Sequence, residues 1–131
     1  MIRPIIVRRL AKYFVILALI NVPATLLYWY HLVWWFDMPM HFLGGVAVFY
    51  LAFLLWLPAR KWVSANRFYF EVVITALLFG VLWEALELFL YVRFSYPAFH
   101  LTDSISDLFF DLAGVFFGVL GTLPLMKKYQ S

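Results

Sequence analysis

Apolar residues fill this chain in four long runs, at about residues 5–30, 39–57, 68–91 and 104–126. Each run supplies the roughly 20 apolar residues that a helix needs to cross a hydrocarbon layer of about 30 Å. The runs are continuous and lack the alternation of barrel strands, so the pattern predicts helices. No internal repeat, low-complexity tract or linker separates them. The expected fold is all-α: an integral membrane bundle of four transmembrane helices, forming one domain over residues 1–131.

Composition removes the alternatives. The chain is 66% hydrophobic, 22% aromatic and 13% charged, with a mean hydropathy of +0.92. A soluble domain is about half apolar and about a quarter charged. A disordered chain, a nucleic-acid partner and nearly every soluble fold are excluded, and the expected partner is the lipid bilayer. The absence of cysteine excludes disulfides and thiolate metal sites.

The charges are informative by position. Arg3, Arg8, Arg9 and Lys12 precede or begin the first run. Arg60, Lys61 and Arg67 lie between the second and third, and Lys127 and Lys128 follow the fourth. Arg93 alone falls on the other side. The positive-inside rule then places both termini in the cytoplasm of a multi-pass cell-membrane or inner-membrane protein. Trp29, Tyr30, Trp34 and Trp35 suit an outer aromatic belt, and Trp56, Trp62 and Tyr69 an inner one. The basic start and Val22-Pro23-Ala24 have the form of a cleavable signal peptide. The apolar run continues through Tyr28, however, which favours a retained helix.

Glu71 begins the third run, where a carboxylate suits the helix dipole. The remaining acids, Asp37, Glu84, Glu87, Asp103, Asp107 and Asp111, all belong to the outer portion. With a rise of about 1.5 Å per residue, His41 lies about 6 Å below Asp37, and Asp107 and Asp111 lie about 6 and 12 Å below Asp103. Glu84 and Glu87 are about 24 and 28 Å along the third run, at the same level. Spacings of three and four put each set on one helix face. Gly44, Gly45, Gly80, Gly114 and Gly118 accompany them and allow close helix approach.

Capping is the simplest alternative for Asp37, Asp103 and Ser104, each near a helix start. It does not account for Asp111, two turns inside, nor for Glu84 and Glu87, near a helix C-terminus. Asp37, His41, Glu84, Glu87, Asp107 and Asp111 are therefore the candidate ligands or bases. Glu84 and Asp111 are the candidate catalytic residues. His31 and His100 suit the interface, with His100 available to the outer loop. Asn21 and Thr25 suit helix–helix hydrogen bonds, and Pro23 a helix kink.

At Asp37-x-x-x-His41-Phe42, Glu84-x-x-Glu87 and Asp103-x-x-x-Asp107-x-x-x-Asp111-x-x-Gly114, the chain resembles the VanZ-like and YjdF-like families of small membrane proteins. The resemblance covers about residues 37–118 in matching order. It implies an Asp-x-x-x-His near the start of one span, an acidic pair on the next and an Asp-rich start to the last. VanZ-like members often carry Gln where Glu87 stands and Asn where Asp111 stands, so this site is the more acidic. The resemblance bears on the site more than on an activity.

Intramembrane carboxylates are costly and mark function by default. An oxygen-rich cluster with one imidazole suits Mg²⁺, Mn²⁺, Zn²⁺ or iron. The leading expectation is a metal-dependent hydrolase or transferase acting on a lipid phosphate or a lipid-linked substrate. The alternatives are a proton- or cation-coupled transporter or ion sensor, and a scaffold with a structural cation. Transport would need a homo-oligomer, because the acids stop in the outer third. The orientation has a direct test, since the chain has no native cysteine. A single cysteine at Trp34, Trp35 or Phe36 is expected to react with an impermeant maleimide on intact cells, and reaction only after permeabilisation would invert the topology.

Overall fold

The computed structural model describes residues 2–94 and 101–130. Among them the regular structure is helical: α1 (Arg3–Leu26), the one-turn α2 (Trp29–Leu32), α3 (Asp37–Trp56), α4 (Ala65–Phe94) and α5 (Leu101–Gln130). A 3₁₀ segment, Leu57–Trp62, joins α3 to α4. The helices α3, α4 and α5 contain stretches long and apolar enough to cross a membrane. The first expected span is a helix too, but it is not among those three. Arg3, Arg8, Arg9 and Lys12 lie inside it, and its uncharged remainder is shorter than the roughly 20 residues that a span requires. It ends at Leu26 rather than Tyr30, because Tyr28 adopts a left-handed conformation (φ 58°) and starts α2.

Helix α3 is the centre of the bundle, packing on α1, α4 and α5. It runs parallel to α5 and antiparallel to α1 and α4. Its crossing with α5 is set by glycine. A Cβ on Gly45 would collide with the Asp111 carbonyl, and one on Gly114 would collide with the Phe42 carbonyl. The two backbones therefore touch reciprocally, as small residues allow between membrane helices. One turn further on, the Phe49 ring occupies the space beside Gly118.

Below this crossing the core is aromatic. Phe49, Phe53 and Phe68 are fully buried, and Phe53 meets Phe68 edge to face with ring centroids 5.0 Å apart. Polar side chains inside this layer find partners across helices. Arg9 donates from Nη1 to the Gly121 carbonyl (2.7 Å) and to the Tyr50 hydroxyl (3.1 Å). Tyr69 donates to Thr122 (3.1 Å), and the Trp56 indole donates to Thr75 (2.8 Å). Arg67 and Glu71, one turn apart, form a surface pair at 3.7 Å, in keeping with a structural role for Glu71. A second apolar cluster, Ala24, Phe36 and Met40, joins the end of α1 to the start of α3.

The glycines give a paired prediction. Gly114→Ala should cost roughly 1–3 kcal/mol, because the methyl meets backbone rather than a movable side chain. Gly44 faces open space, so Gly44→Ala should be neutral or stabilising by up to about 1 kcal/mol. Thermal unfolding of the two variants in the same detergent measures the difference.

Candidate functional site

The candidate residues gather at one end of the bundle, where α3 and α5 begin and α4 approaches its end. Asp37 does not cap its helix: α3 starts at Asp37 itself, Phe36 occupies the N-cap position, and no side-chain cap bond forms there. The carboxylate instead turns down its own helix, with Oδ1 3.7 Å from His41 Nε2. Asp103 and Ser104 fall within the first turn of α5, which starts at Leu101. Asp103 is exposed, whereas Ser104 is buried.

His41 is the hub. Its side chain is 7% exposed, and three carboxylates surround the ring. Asp111 Oδ1 lies 3.3 Å from Nδ1; Asp107 Oδ2 lies 3.8 Å from Nε2. A carboxylate only accepts hydrogen bonds, so Nδ1 carries the proton and donates to Asp111. Nε2 then faces Asp37 and Asp107, and in the neutral ring its lone pair is available to a metal ion. Asp111 occupies the position that a carboxylate takes behind a metal-bound histidine, fixing the ring and raising its basicity.

Asp37, His41 and Asp107 each offer a ligand atom within 4.8 Å of the other two and can hold a metal ion. Ligands at about 2.1 Å around a tetrahedral centre stand about 3.4 Å apart. The 3.7 and 3.8 Å separations from Nε2 are within a few tenths of that spacing. Small side-chain rotations would bring the three ligand atoms to that spacing, where they would fill three of the four positions of a tetrahedral ion.

Glu84 and Glu87 enter from α4. Glu84 is buried, and among the described residues neither of its carboxylate oxygens finds a hydrogen-bond partner; Asp107 Oδ1 is in the same condition. Ser104 is close enough to Glu84 to interact, without the geometry of a hydrogen bond. An ionised, unpaired carboxylate in such a place costs several kcal/mol. It requires a proton, a cation or water. Glu87, one turn further, is half-buried and near Trp83 of its own helix. Gly80 lets α4 reach the cluster, since a Cβ there would stand 2.9 Å from Asp111 Oδ2.

A family model described as "Predicted membrane protein (DUF2238)" matches residues 3–128. The chain belongs to this family. No curated protein and no solved structure matches it. The DUF2238 match spans α1 to α5 and takes in all six candidate residues. Together with the three apolar helices, it makes the chain an integral membrane protein. It supports a small membrane-protein family and does not single out VanZ-like or YjdF-like proteins.

Of the expected residues, three share the compact group, Asp111 stands behind the imidazole, Glu84 is buried without a partner, and Glu87 lies at the margin. His31 is exposed beside Tyr28, and His100 lies outside the described residues. Asn21 accepts from the Tyr30 hydroxyl at 2.6 Å, a link from α1 to α2. Ser104 is the neighbour of Glu84 that sequence reasoning treated as a cap. Its spacing of three from Asp107 was the available signal.

Asp111→Asn keeps the shape and lets the amide choose either role toward Nδ1. Metal affinity, measured by competition with a chromophoric chelator, should fall about 10–100-fold. Unchanged affinity would show that Asp111 does not orient His41.

Proposed function

We propose that this DUF2238 protein is a membrane metalloprotein whose divalent ion is held by Asp37, His41 and Asp107. The observation that carries this reading is the aim of His41 Nε2. The Nδ1–Asp111 bond turns the other nitrogen onto two carboxylate oxygens, at 3.7 and 3.8 Å. Two carboxylates and one imidazole suit Zn²⁺, Mn²⁺ or Fe²⁺ better than Mg²⁺, which prefers an all-oxygen set.

The finer reading is a hydrolase or transferase acting on a lipid phosphate or lipid-linked substrate. Three protein ligands with an open position are the arrangement of catalytic rather than structural zinc. When bound, the metal would polarise the scissile group and lower the pKa of a bound water. Glu84, buried and unpartnered, is the candidate proton acceptor beside it, and Asp111 is a positioning residue acting through His41. The reading places the site in the outer third of the bilayer, because the cationic residues cluster at the opposite end. Motif order also keeps the VanZ-like or YjdF-like comparison within this proposal.

A structural cation is the competing account, and burial of His41 and Asp107 favours it. Elemental mass spectrometry and turnover of a lipid-phosphate substrate separate the two. Wild-type protein should carry about one divalent ion per chain, lost in His41→Ala and Asp107→Asn. Glu84→Gln should keep the metal and the thermal stability while losing turnover by about 100-fold or more. Wild type without metal after supplementation would overturn the reading. Full turnover in Glu84→Gln would remove Glu84 from the chemistry.

A further inference from the structure

The opposite end of the bundle holds an open cleft of about 700 Å³, lined by Ile2, Arg3, Pro4, Val7, Arg8 and Leu57. It lies where the first two turns of α1 meet the end of α3. Arg3–Val7 and Pro4–Arg8 are adjacent i, i+4 rows, so one helix face offers two guanidiniums and an apolar strip between them. Val7 is 46% exposed despite being aliphatic. Ile2 and Leu57 supply the rest of the apolar wall.

The charge around the cleft is one-sided. Among the described residues, the ion pairs at this end are limited to Arg67 with Glu71; neither Arg3 nor Arg8 has a carboxylate partner. The first turn of α1 contains no acidic residue. Arg9, next in sequence, is turned away, engaged with Tyr50 and Gly121 inside the bundle. Two free guanidiniums over an apolar cleft, at the charged end of a membrane bundle, match a phosphate ester that carries hydrocarbon.

We propose that this cleft is a binding site for one anionic phospholipid, with Arg3 and Arg8 pairing with its headgroup and Val7 and Leu57 meeting its hydrocarbon. Basic recesses between membrane helices are suited to such headgroups, and guanidinium pairs suit phosphate oxygens. The site is independent of the metal group, which occupies the other end of α3.

Native mass spectrometry of the full chain, released from detergent with phosphatidylglycerol or phosphatidylcholine added, tests it. Wild type should retain phosphatidylglycerol at one saturable site and phosphatidylcholine weakly. Arg3→Gln/Arg8→Gln should weaken phosphatidylglycerol about 25-fold, two basic contacts at about fivefold each. Val7→Trp, which keeps both charges and fills the cleft, should displace the lipid as well. Equal retention of the two lipids would overturn the proposal, and so would undiminished phosphatidylglycerol in the double variant. Retention in Val7→Trp would assign the binding to diffuse surface charge and overturn it too. Unchanged thermal stability and metal content accompany the expected result.

Discussion

The backbone contact between α3 and α5 at Gly45 and Gly114 is the constraint from which the rest of the bundle follows. Each glycine faces a carbonyl of the other helix, so the two backbones meet where any side chain would hold them apart. Weak Cα–H···O contacts and dispersion replace the hydrophobic drive that lipid cannot provide. The approach fixes both depth and rotation. His41 stands one turn above Gly45, and Asp111 supplies the very carbonyl that Gly45 receives. The polar contacts of the site are thus the side-chain counterpart of a crossing already set by the main chain.

Asp111 ties three helices together. Its backbone packs on α3, Oδ1 meets His41, and Oδ2 lies against Gly80 of α4. A Cβ at position 80 would crowd Oδ2 and oblige the Asp111 carboxylate to shift. The far end has its own cross-links, from Arg9 to Tyr50 and Gly121 and from Tyr69 to Thr122. There the Arg9 guanidinium donates to the Gly121 carbonyl, next to the Leu120 carbonyl that Pro124 cannot serve with an N–H. An acidic layer at one end gives way to an aromatic core crossed by polar contacts, among them those of Arg9.

Much of this was legible in the sequence. Long apolar runs require helices, and counting along three of them brought Asp37, His41, Glu84, Asp107 and Asp111 to one level. Their i, i+4 spacing named the shared faces. What one-dimensional spacing does not encode is rotation about the helix axis. It could not say that Asp107 and Asp111 fall on opposite nitrogens of one ring. Nor could it say that Asp37 abandons its cap for His41, because capping and inward-facing acids share the same position. The first run looked long enough to span. Its basic residues fall inside the helix, where Arg9 serves the core while Arg3 and Arg8 line a cleft.

The joining of α3 to α5 also orders events during biosynthesis. His41 and Asp111 are 70 residues apart, with the whole of α4 between them. When α3 leaves the ribosome, its imidazole meets lipid, water or a neighbouring chain, and the glycine groove beside it is bare. Only the arrival of α5 fills that groove and delivers Asp107 and Asp111 to a ring that already has Asp37 beside it, by which time α4 has turned back across the assembly. Helix docking and assembly of the acidic group are then a single late step. Any ion held there would report that insertion is finished.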